Sequence, residues 1–128
     1  MTQQFKIGIV GYGNLGRGVE LAVAKNPDLD LVGVFSRRDP ATVTPALPAT
    51  EVFALDSLSE FAGKVDVLIL CGGSKSDLPI QSPELAAKFN IVDSFDTHAK
   101  VPEHFDAVDS AAQAGQTTAL ISAGWDPG

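Results

Sequence analysis

The stretch Lys6-Ile7-Gly8-Ile9-Val10-Gly11-Tyr12-Gly13-Asn14-Leu15-Gly16-Arg17-Gly18 decides how the rest of the chain is read. An apolar run ends in three glycines spaced G-x-G-x-x-G, and an amphipathic helix follows at once. In that setting each glycine has a mechanical task. Gly11 permits the tight turn out of the strand, Gly13 lets backbone approach a bound pyrophosphate, and Gly16 lets helix pack on strand. The helix then aims its free amides and the positive end of its dipole at that pyrophosphate. A bare glycine pattern is weak; between a strand at 5–10 and a helix at 15–25 it points to a dinucleotide site.

Outward from this turn, strands and helices alternate. Strands are expected at 29–35, 65–71, 91–95 and 118–122, with a short edge strand at 51–54. The first helix should bury Leu15, Val19, Leu21, Ala22 and Val23 and stop at Asn26-Pro27. Residues 39–50, with Pro40, Pro45 and Pro48, read as a surface loop. A short helix at 57–62 would be capped by Ser57 with Glu60 three residues on. Pro83 suits the first turn of a helix over 83–89, and a longer helix over 102–114 would end at Gly115. Alternation of this kind implies right-handed crossovers and an α/β fold. Its expected form is a Rossmann-type doubly wound, mostly parallel sheet flanked by helices on both faces.

Composition narrows the partners. The 128 residues suffice for one domain with a real core. At 45% apolar and 20% charged the chain is ordinary globular protein, and no apolar run approaches the roughly 20 residues that cross a bilayer. The lone Cys71 forms no internal disulfide, and the start carries no signal-peptide core, so a cytoplasmic setting is expected. A net charge of −7 argues against nucleic acid and anionic membranes. Anions must then be gripped locally, which makes the few arginines informative.

In such a sheet ligands bind past the carboxyl ends of the strands. The unusual residues fall there: Gly11–Gly16, Ser36–Arg38, Cys71–Ser74, Ser94–His98 and Ala123–Asp126. An NAD-binding domain would place an acid after its second strand, about 20 residues past the glycines. This chain has Ser36, Arg37 and Arg38 there, groups that suit a 2′-phosphate. Two charge-assisted contacts would favour NADP over NAD by roughly 10²–10⁴. Ser74 or Ser76 could cap the turn after the glycines Gly72 and Gly73. Cys71 reads as a packing residue, since no base accompanies it. His98 and His104 read as solvated or capping residues, without metal-ligand spacing. Asp93 lies inside a strand and can satisfy backbone donors. On spacing alone Asp96 and Asp126 would be capping or solvated, and Trp125 a core aromatic.

The sequence resembles the meso-diaminopimelate dehydrogenase family. The resemblance is carried by Ile9-Val-Gly-Tyr-Gly-Asn-Leu-Gly-Arg17, Asp30-Leu-Val-Gly-Val-Phe-Ser-Arg-Arg38 and Val65-Asp-Val-Leu-Ile-Leu-Cys71. It continues in Val92-Asp-Ser-Phe-Asp96 with His98, and in Gly124-Trp-Asp-Pro-Gly128. It implies reversible, NADP-dependent oxidative deamination of meso-2,6-diaminopimelate to L-2-amino-6-oxopimelate, serving lysine and cell-wall precursor synthesis. By that resemblance Tyr12, Gly13, Asn14 and Leu15 contact the pyrophosphate, and Ser36, Arg37 and Arg38 hold the 2′-phosphate. Cys71, Gly72, Gly73, Ser74, Ser94, Phe95, Asp96, Ala123, Gly124, Trp125, Asp126 and Pro127 line the rest of the cofactor. Asp96 and Asp126 also become catalytic, holding the substrate's D-amino group. Gly72 and Ala123 stand where the family often has a larger or hydroxylated residue.

The family's chain continues into a second domain that supplies substrate contacts and a homodimer surface, with no counterpart here. Residues 1–128 are therefore expected to be the NADP-binding part, cut within a site loop, binding NADPH without turnover. A stand-alone NADP-binding module, and a dehydrogenase of another D-amino acid, are the competing expectations.

Overall fold

The computed structural model describes residues 4–73 and 76–123. Six strands form one sheet: β1 (Phe5–Val10), β2 (Leu29–Ser36), β3 (Val52–Ala54), β4 (Val67–Leu70), β5 (Ile91–Asp93) and β6 (Ala119–Leu120). Every pairing is parallel, in the order β3-β2-β1-β4-β5-β6. The helices among the described residues are α1 (Asn14–Ala24), α2 (Leu78–Ala86) and α3 (Val101–Gly115). The chain winds outward from β1 to β3, returns to β4 beside β1, and winds the other way. With right-handed crossovers, that reversal puts α1 on one face and α2 and α3 on the other. This is the Rossmann-type doubly wound fold.

Neighbouring side chains of β1 and β2 serve the two faces. Val10 and Phe35 join a core with Leu68, Leu70, Leu78, Phe89, Ile91, Phe95 and Val108. Ile9 and Val34, one residue earlier, are fully buried on the α1 side, where Val23 is also buried. Phe35, Phe53 and Phe61 meet with ring centroids 5.0–5.4 Å apart. Their contact secures β3 and the 3-10 turn Leu55–Phe61 to the sheet.

Local expectations fail in four places. α1 buries Gly16, Glu20 and Val23, while Leu15 and Leu21 face out. The 55–61 segment is a 3-10 turn without a side-chain cap, and the Ser57 hydroxyl donates back to the Ala54 carbonyl at 2.6 Å. α2 begins five residues before Pro83. Pro79 holds its first turn, the Asp77 and Leu78 amides donate to the Gly73 carbonyl, and fully buried Leu78 and Ser82 anchor it. Gly115 is the last residue of α3 rather than its left-handed cap, which is Gln116 at φ 57°. A side chain at position 115 would collide with the Ala87 carbonyl, so glycine is required there by the close approach of α3 to the end of α2.

Candidate dinucleotide site

The turn after β1 meets the demands of a phosphate cradle. Gly11 has φ +88°, in the left-handed region. A Cβ on Gly16 would stand 2.6 Å from the Gly11 carbonyl oxygen, so only glycine lets α1 start this close to the strand. A Cβ on Gly13 would meet nothing within 4 Å, leaving that backbone open to a ligand. Gly13 caps α1 with no side-chain hydrogen bond, and the first turn contains no acid. The first amides of the helix therefore keep their capacity for an anion.

Parallel pairing brings the neighbouring strand ends to this turn. The Gly11 amide donates to the Phe35 carbonyl at 2.9 Å, and the Cys71 amide to the Val10 carbonyl at 2.8 Å. Past β2, Arg38 Nη2 donates to the Tyr12 carbonyl oxygen at 2.6 Å. Ser36 is buried, and its Oγ accepts from the Arg38 amide at 3.0 Å. Arg37 is exposed but reaches across the end of β1 to Asp77, Nη2 to Oδ1 2.7 Å. That pair spans the point where strand order reverses. Asp77 Oδ2 also accepts from the Gly73 amide at 3.1 Å, in place of the expected serine cap. A Cβ on Gly72 would lie 2.7 Å from Asp77 Cβ, so glycine there makes room for this aspartate. Burial pushes the Cys71 thiol up to about 12, so it stays protonated at neutral pH and unreactive.

The loops after β5 and β6 are tied by one buried carboxylate. Asp93 Oδ1 accepts from the Phe95 amide at 3.1 Å and the Ser122 amide at 2.8 Å. Its Oδ2 accepts from the Ser82 hydroxyl at 2.6 Å and lies 2.6 Å from His104 Nε2. The Asp93 carbonyl takes the Ala123 amide at 2.9 Å. His104 is thus buried and paired, a correction to the solvated or capping role expected from sequence. Its ring stacks on buried Phe95 with centroids 4.0 Å apart. The Ser94 hydroxyl reaches the Leu70 carbonyl at 3.5 Å, and Asp96 follows, exposed, on the same rim. Ser74, Gly124, Trp125, Asp126 and Pro127 lie outside the described residues, as does the side chain of His98.

Glu20 and Arg17 escaped the sequence reading. Glu20 is fully buried and takes hydrogen bonds from the Tyr12 hydroxyl (2.5 Å), the Ala46 and Leu47 amides (both 3.0 Å) and the Thr50 hydroxyl (2.5 Å). Burial raises its pKa, but those donors outweigh burial and hold the carboxyl below its ordinary value. Tyr12 is pushed up, by burial first and then by its bond to Glu20. Arg17 faces Arg38 around a cleft of about 260 Å³ that Tyr12, Gly13, Asn14, Thr42, Val43 and Thr44 complete. The signal for Glu20 was its place four residues after Gly16, on the stripe that packs on the sheet. Among the described residues no cluster of His, Cys, Asp and Glu could hold a metal ion, and no helix is long and apolar enough to cross a membrane.

No family model matches the chain. Over 123 residues it is 59% identical to the meso-diaminopimelate D-dehydrogenase of Lysinibacillus sphaericus, covering 96% of this chain and 37% of that protein. Among solved structures, an engineered D-amino acid dehydrogenase bound to NADP+ superposes with a TM-score of 0.89 at 46% identity, over 98% of this chain and 38% of that one. The Corynebacterium glutamicum diaminopimelate dehydrogenase in complex with diaminopimelate gives 0.87 at 47% identity, over 100% and 38%. The chain therefore spans well under half the length of the relatives it matches.

Proposed function

We propose, from the chain's kinship with the meso-diaminopimelate D-dehydrogenases, that it forms the NADP-binding part of such an enzyme. The enzyme as a whole would carry out reversible oxidative deamination of meso-2,6-diaminopimelate to L-2-amino-6-oxopimelate and ammonia. The observation that carries this reading is Arg38 seated on the Tyr12 carbonyl, a guanidinium at the mouth of the glycine turn. The residues present fit the cofactor: Gly13 is open, the helix start is uncapped, and no acid stands at the end of β2.

In this reading the Gly11–Gly16 turn and the α1 amides hold the pyrophosphate. Arg38 takes the 2′-phosphate, and its fork leaves several donors beyond the one spent on Tyr12. Ser36 orients Arg38 from beneath. Arg37 takes part once its pair with Asp77 opens. Gly72, Gly73, Ser94 and Ala123 bring backbone and small side chains along the nicotinamide half, where Ser74 and residues 124–127 would complete the lining. The half-buried Cys71 and the buried Phe95 support that wall from behind. When bound, NADP supplies the hydride acceptor.

Asp96 and Asp126 orient the ammonium of the D-centre and take its proton, so that the nitrogen lone pair assists hydride loss. Asp93, holding the loops after β5 and β6 together, fixes the base of Asp96. A cytoplasmic homodimer as the working assembly, with lysine and cell-wall precursors as its output, belongs to the same proposal.

The test is a chimaera in which this chain replaces the matching stretch of the Lysinibacillus sphaericus enzyme. The proposal expects diaminopimelate-dependent NADP reduction, lost in Asp96→Asn and Asp126→Asn with NADPH binding retained. A folded chimaera that binds NADPH but never turns over would reduce the chain to a binding module.

A further inference from the structure

We infer that Glu20 is a positioning residue for nucleotide discrimination, fixing the cleft that receives the 2′-phosphate although it lies beneath that cleft. The inference rests on the proposed use of NADP. A carboxylate at 0% exposure on the sheet-facing stripe of a helix is an unusual choice, since an apolar side chain would pack there at less cost. Its four donors are all neutral, so Coulomb attraction to a cation is not what keeps it. The four donors come from two separate segments. Tyr12 belongs to the glycine turn, whereas Ala46, Leu47 and Thr50 belong to the proline-rich loop. Those two segments face each other across the cleft, with Thr42–Thr44 on the loop side and Arg17 and Arg38 as its cations. The Ala46 amide also donates to the Tyr12 hydroxyl at 2.8 Å, closing a ring of hydrogen bonds around the carboxylate. Glu20 thereby sets the width of a site built for a phosphomonoester.

The test uses a sign that electrostatics alone would reverse. Removing a negative charge near the cleft should strengthen a dianion's binding. A positioning role predicts the opposite: Glu20→Gln weakens NADPH by roughly tenfold while NADH changes less than about twofold. Should Glu20→Gln fail to fold, Thr50→Val removes one donor from the carboxylate and is expected to show the same selective loss, with Thr50→Ser restoring wild-type discrimination. Equal losses for both nucleotides, or tighter NADPH binding, would overturn the inference. Wild-type chain that binds neither nucleotide would sink the cofactor reading itself and the inference with it. Wild-type NADPH preference unaltered in folded Glu20→Gln would sink the inference alone.

Discussion

Arg38 and Tyr12, 26 residues apart in sequence, meet through a 2.6 Å hydrogen bond from guanidinium Nη2 to backbone carbonyl. The contact joins the loop after β2 to the turn after β1. It is possible because parallel pairing sets Val10 against Phe35 and ends both strands at one rim. It also fixes a cation beside the glycine turn to which the proposed function assigns the pyrophosphate. The separate fates of Arg38 and Arg37 follow from this geometry: one is held by backbone, the other by the carboxylate of Asp77.

The second and third glycines of the motif should respond differently to alanine. At Gly16 a methyl meets a backbone oxygen that cannot retreat without moving the strand. Gly16→Ala is expected to lower unfolding free energy by about 1–3 kcal/mol in urea titration. Gly13→Ala meets open space and should cost under about 1 kcal/mol while weakening nucleotide binding. Equal stability losses at the two positions would contradict this division of labour.

Asp93 accepts two loop amides and a buried hydroxyl and pairs with a buried histidine. Removing it strands those partners in the core. Asp93→Ala should therefore lower stability by about 3–5 kcal/mol, and Asp93→Asn by less, because an amide oxygen can still serve the Phe95 and Ser122 amides. A urea midpoint for Asp93→Ala within error of wild type would rule out this organising role.

Glu20 should give the fold an acid-sensitive component. Its folded pKa lies below the ordinary 4.5, held there by its donors against burial. A depressed carboxyl contributes stability that is fully present above its unfolded pKa and is lost as pH falls through the folded value. From about pH 4.5 downward, wild type should therefore lose stability faster than Glu20→Gln, and the two unfolding midpoints should converge. A gap that is independent of pH would contradict the assignment.

The sheet was legible because its central strands bury their carboxyl-terminal halves and read as nearly unbroken apolar runs; the bounds of β1 match the expectation residue for residue. The rim was legible too, since the glycine turn and Arg38 are fixed by spacing within single strand–turn units. α2 was misplaced because Pro83 mimics a first-turn proline, and nothing local shows that Ser82 is hydrogen-bonded to Asp93 eleven residues away. Glu20 was missed for the same kind of reason: three of its four partners lie 26 to 30 residues distant in a loop whose composition reads as solvated surface. His104 was misjudged because its burial depends on α3 folding back over β5. Periodicity reports which face is apolar, and it is silent about polar groups that the fold pairs at long range.

The central claim is that this rim reads the 2′-phosphate of NADP through Arg38. Calorimetric titration of the chain with NADPH and with NADH, in wild type and in Arg38→Ala, tests it most directly. The account predicts wild-type preference for NADPH, reduced roughly 10–100-fold in Arg38→Ala with NADH affinity nearly unchanged. Equal affinity for the two nucleotides in wild type, or equal losses in the variant, would contradict it.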